Sequence, residues 1–212
     1  MTMRPLHLAF APANVNTAGF ATGLTGVGPW ATVNFTRSAA TDSLAHLLTL
    51  TSAANLSAIN ITVTGTDPDG VAVTETLAGP NTNTVTLTKY FATITAVSAA
   101  STLGANTLNV GWANSFVSQT LPTEIYFHGG HYTAGFGVTG TIAFDLECTT
   151  SNLRAESQAL QSSYLWLNDA NFASKSASLI SNTATAPYTA VRVIANSYSN
   201  GAALTFDLLT SQ

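Results

Sequence analysis

The sequence holds one cysteine, Cys148, so it has neither an intrachain disulfide nor a cysteine-rich metal site. Charge is scarce: 8% of residues are Asp, Glu, Lys or Arg, where an ordinary globular protein carries about 25%. The six basic residues are spread along the chain and the net charge is −4, which argues against the clustered basic footprint of a nucleic-acid binder. No uncharged stretch reaches the roughly 18 apolar residues of a membrane span. Met1–Pro5 leads into no long apolar run, so no cleavable signal peptide is expected, and the chain is expected to be soluble and made in the cytoplasm. There is no G-x-S-x-G elbow to expose a nucleophilic serine. Segments of clear helical period are also lacking, save for one weak candidate described below.

What is abundant is apolar and hydroxylic. At 46% hydrophobic the chain has ample material for a core, so its polar surface must come from Thr, Ser and Asn. Thr suits a pleated, half-exposed strand face. A surface this poor in charge associates readily with other surfaces, which suggests that partners cover much of it.

The clearest element is a β-hairpin over residues 59–77. Ile59, Ile61 and Val63 share one strand face and Asn60, Thr62 and Thr64 the other. Between the two strands stands Asp67-Pro68-Asp69-Gly70. Pro68 presets φ for the turn, Asp67 bonds back to the turn backbone, and Gly70 takes a positive φ at the exit. Glu75 falls on the apolar face with Val71, Val73 and Leu77, so either the strand frays there or a bulge turns the carboxylate to water.

Residues 1–40 interleave Gly, Ala, Asn and Thr with single aromatics, and read as a loop-rich arm ordering on a neighbour or an edge packing its own aromatics. Residues 41–113 read as a first β module with short strands at Leu47–Thr51, Val85–Thr88, Tyr90–Val97 and Thr107–Trp112. Residues 114–122 read as a linker and 123–212 as a second module. There a strand is expected at Glu124–His128, followed by a Gly-rich run through Gly140. In Thr141–Thr149, Ile142, Phe144, Leu146 and Cys148 face in while Asp145 and Glu147 face out. Ser151–Gln161 is the weak helical candidate, Tyr164–Leu167 an aromatic strand, and Tyr188–Ala195 with Ala203–Leu209 a last hairpin. The expected fold is all-β, two β-sandwich modules of Ig-like or jelly-roll-like type behind a loop-rich N-terminal segment.

Val63-Thr64-Gly65-Thr66-Asp67-Pro68-Asp69-Gly70, then Thr74-Glu75-Thr76, then Lys89-Tyr90-Phe91-Ala92-Thr93-Ile94 resembles a recurring pattern in structural proteins of tailed-bacteriophage virions. There a V-T-G-T-D-x-x-G hairpin precedes T-E-T and K-x-F-x-T-V/I. Pro187–Val193 with Leu204–Leu208 is similar to the C-terminal hairpin of the same proteins. The resemblance covers residues 47–112 and 187–209 and rests on structural motifs. It implies a non-enzymatic virion protein without cofactors, binding major capsid, neck or tail proteins as a homo-oligomer. Capsid decoration is the first placement it suggests and a neck or tail component the second.

Candidate chemistry is sparse beside this. His128 and His131 stand three apart near Asp145 and Glu147, but a Gly-rich loop fixes no third zinc ligand, and loop histidines at an interface are the preferred reading. Asp67 and Asp69 resemble the start of a calcium loop but lack its downstream carboxylate. Cys148 reads as a small buried hydrophobe. Tyr164, Trp166, Tyr188 and Tyr198 suggest a stacking platform for sugars, the alternative function being a carbohydrate-binding host-adhesion module; core or interface aromatics are the plainer reading.

Overall fold

A computed structural model describes residues 6–123, 132–151, 164–182 and 188–210. The chain divides into two compact units, 13–116 on the one hand and 1–12 with 117–212 on the other. The first strand, β1 (Leu6–Phe10), belongs to the second of these, so the 13–116 unit is an insertion within the other. Both units are all-β with antiparallel pairing. Residues 128, 131 and the 152–161 part of the expected helix, with the strand expected at 124–128, lie outside the described residues.

The inserted unit contains β2 (Asn16–Leu24), β3 (Trp30–Ala31), a short 3-10 turn (Thr32–Asn34), β4 (His46–Thr51) and β5 (Asn60–Thr66). β6 (Ala72–Ala78), β7 (Thr84–Phe91), β8 (Thr93–Ala99) and β9 (Leu108–Trp112) complete it. They form two sheets, β2-β9-β4-β7 and β3-β8-β5-β6. The inward positions of both sheets share one core: Phe20, Leu48, Leu50, Phe91 and Val110 from the first, Ile61, Val63, Ile94 and Val97 from the second. Each such side chain contributes about 1.5–3 kcal/mol on burial. Phe20 and Trp112 meet edge to face with centroids 5.0 Å apart.

Residues 1–40 are more regular than expected. They supply β1, β2 and β3, because their small residues lie against strands far ahead in the sequence: β1 pairs β17 and β2 pairs β9. The expected continuous strand from Tyr90 is instead broken at Ala92, where the chain leaves one sheet for the other. Part of the expected linker is also strand: β10 (Phe116–Val117), which is buried, and β11 (Leu121–Pro122).

The 59–77 hairpin forms in unbroken register from Asn60↔Ala78 to Thr66↔Ala72. The Asp67 carboxylate accepts the N–H groups of Asp69 and Val71, both at 2.9 Å, and Gly70 takes φ +81°. Glu75 neither frays the strand nor bulges outward. Its carboxylate crosses to the edge of the facing sheet, where Oε1 accepts the Thr88 N–H and Oε2 the Lys89 N–H, each at 2.8 Å. The Lys89 ammonium returns to the Thr74 carbonyl at 2.8 Å. Edge strands β6 and β7 are thereby clamped together, which withdraws β7 amides from strand addition. Gly65 lies at the bulge where β5 shifts register on β8, and a Cβ there would stand 1.9 Å from the Thr93 carbonyl oxygen.

The outer unit continues with β12 (Tyr132–Thr139), β13 (Ile142–Thr149), β14 (Leu167–Asn168), β15 (Leu179–Asn182), β16 (Ala190–Tyr198) and β17 (Ala203–Thr210). Its sheets run β1-β17-β12-β15 and β10-β16-β13-β14, with β11 also on β16. Phe136 of β12 joins them, its ring centroid 4.9 Å from Phe206 of β17 and 4.5 Å from Phe144 of β13. The Gly-rich run is thus strand from residue 132, and the aromatic strand is reduced to β14.

Gly65→Ala is expected to cost about 1–3 kcal/mol or more, since backbone and not a movable side chain meets the added methyl. Glu75→Ala is expected to cost about 0.5–1.5 kcal/mol, since water can reach the two amides that lose their acceptor. Urea midpoints of the purified variants check both.

Candidate functional site

The aromatics expected to form a sugar platform do not form one. Tyr164 and Tyr198 are buried at 7% and 5% exposure, Tyr198 on the core side of β16. Tyr198 turns inward as the last residue of β16, which runs on past Ala195. Trp166 remains partly exposed, with the Arg192 guanidinium 4.2 Å from its ring centroid. Arg192 Nε in turn donates to Glu147 Oε2 at 2.6 Å, so a cation fixed by a carboxylate occupies one face of the indole. The Tyr188 hydroxyl donates to Asp169 Oδ2 at 3.1 Å.

Cys148 is inward and buried on β13. Burial pushes its thiol up; the Asp169 and Glu147 charges add to this, and a hydrogen bond with Tyr188 opposes it. A cleft of about 330 Å³ lined by Thr150, Leu165, Leu167, Asn168 and Tyr188 borders the sulfur, but the protonated thiol is no nucleophile there.

Asp145, expected to face water, is buried at 4%. Alternation places it with Glu147 on the face away from Phe144, but the segment before β15 runs along β13 at this point, with Phe144 and Lys175 bridging backbone to backbone. The Asp145 carboxylate accepts the Ser174 N–H and the Asn196 side-chain amide, which holds the segment on the sheet.

A second buried cluster carries no local signature in the sequence. His46 of β4 is fully buried, with Nε2 3.0–3.1 Å from both Asp42 carboxylate oxygens and Nδ1 2.6 Å from the Ser115 carbonyl. Asp42 also accepts the Ala13 N–H at 2.5 Å and the Leu44 N–H at 3.0 Å. The pair therefore fastens residues 13 and 115, the two ends of the inserted unit. Burial alone would raise the Asp42 carboxyl, but the His46 interaction and the amide hydrogen bonds hold it below its ordinary value. An aspartate four residues before a histidine is too common a pattern to announce this contact.

These groups build the fold; among the described residues none is set across a cleft from a second acid or nucleophile in the way hydrolysis requires. Among the described residues no three His, Cys, Asp or Glu side chains gather as a metal site. The chain matches no protein-family model and no curated protein sequence.

Because the Asp42 carboxylate is held below its usual 3.8, its contribution to stability is complete above the unfolded-chain value and is lost as pH falls below that value and through the lower folded one. Calorimetry is expected to show the melting temperature falling below about pH 4. Asp42→Asn is expected to cost about 1–3 kcal/mol near neutral pH and to show a shallower acid limb. Separately, Cys148 is expected to resist an aromatic disulfide reagent in the native protein and to react at once in guanidinium, as followed by absorbance.

Proposed function

We propose that this chain is a non-enzymatic structural protein of a tailed-bacteriophage virion, binding other virion proteins by surface complementarity. Capsid decoration is the placement we favour, with a neck or tail component as the second. The observation that carries the reading is the outward face of β5, β6 and β8. Threonines pair across it, Thr62 with Thr76 at 2.7 Å and Thr74 with Thr64 at 3.3 Å. Thr95 and Ser98 lie on neighbouring β8, and the sole charged residue of the three strands, Glu75, is turned to the other sheet. Hydroxyls that already satisfy one another lose little on leaving water, and interface centres are depleted of charge for the same reason. The residues of the virion-protein resemblance support the reading in a second way. Gly65, Asp67, Glu75 and Lys89 all serve the backbone of one sandwich corner.

Mass spectrometry of washed particles is expected to find this chain in multiple copies, and its absence there sinks the proposal. A Thr62→Lys/Thr76→Lys variant, charged on the outward face, is expected to melt like the parent yet be lost from particles on washing.

A further inference from the structure

The outward face of the sheet β1-β17-β12-β15 carries a groove of about 540 Å³, within the range of small-ligand sites. Its floor is strand β12 at Gly135 and Gly137. Register places Gly135 between Asp207 of β17 and Ile180 of β15, and Gly137 beside Thr205. Asp207 is capped by His7 of β1, with Nδ1 and Oδ1 2.5 Å apart and both side chains more than half exposed. Ile180 forms the other wall and is 79% exposed.

Gly135 is not demanded by this chain. Its φ is not positive, and a Cβ there would make only ordinary contacts, 3.5 Å to Ile180 and 3.8 Å to Asp207. A glycine inside a strand weakens it, and one that neither turn nor packing requires marks close approach by something else. The lining chemistry limits what that is. The backbone of the floor is spent on the β12–β17 and β12–β15 ladders, so an added peptide strand finds no main-chain partners on this face. The Asp207 carboxylate only accepts hydrogen bonds, and the Thr205 hydroxyl is directed to the Gly137 carbonyl at 3.4 Å, leaving its lone pairs as acceptors. Thr133 adds a second hydroxyl residue to the lining, and Ile180 gives it an aliphatic wall. A ring with several O–H donors on its edge and C–H groups on one face meets both conditions.

We propose that this groove binds a saccharide, a neutral or amino-substituted hexose unit lying on Gly135 and Gly137, with hydroxyl or ammonium donors on Asp207 and Thr205 and its C–H face on Ile180. The site is on the other sheet from Trp166, and the inference does not rest on placement in a virion.

The test is a glycan array with the full chain, followed by calorimetric titration of the best-retained sugar against Gly135→Val, Asp207→Asn and Trp166→Ala. The expected result is that at least one saccharide is retained by the parent and by Trp166→Ala. Gly135→Val, which fills the groove, and Asp207→Asn, which removes the acceptor charge, are each expected to weaken binding about tenfold or more, with melting curves reporting an intact fold. No retained saccharide, retention of basic peptides alone, or loss confined to Trp166→Ala would each overturn the proposal.

Discussion

Every main-chain amide at a sheet margin or tight turn needs an acceptor, and this chain has ten carboxylates with which to supply those its ladders miss. Among the described residues five do so: Asp42 for Ala13 and Leu44, Asp67 for Asp69 and Val71, Glu75 for Thr88 and Lys89, Asp145 for Ser174, and Asp169 for Asn171. A charged acceptor makes a hydrogen bond roughly twice as strong as a neutral one. Few charges can therefore secure many corners.

The virion-protein pattern gains a physical meaning from the same bonds. V-T-G-T-D, T-E-T and K-x-F are separated in sequence but meet at one corner of one sandwich. Gly65 admits the Thr93 carbonyl, Asp67 closes the turn, and Glu75 with Lys89 ties two sheet edges. The pattern reports a construction.

What was legible in the sequence was local. The Asp-Pro-Asp-Gly turn, the alternation along Ile142–Thr149 and the inward Cys148 depend on neighbours a few residues away, and they stand as read. Glu75 was legible as a conflict, a charge on an apolar face, though its resolution needed β7 to be in place. Contacts across long separations left no trace. His7 and Asp207 are 200 positions apart, and His46 meets a carbonyl 69 positions away. Asp145 was misread because period two gives the face of a strand but says nothing about what later covers it. For Tyr164 and Tyr198 the plainer reading, core aromatics, is the one the structure has, although an aromatic beside a loop looks the same in sequence whether its ring turns in or out.

The position of β1 sets an order in time. Its partner β17 is made about 200 residues later, and at translation rates of about 5–20 residues per second the wait is roughly 10–40 s. The inserted unit has all its strands long before that. Once residue 116 has been made, Leu6–Phe10 is a strand without its partner attached to a completed inserted unit, and its slot in the outer unit opens only when β17 emerges. Two nascent chains side by side offer each other the same strand and the same slot, so crowding on one message is where exchange of β1 between copies would begin.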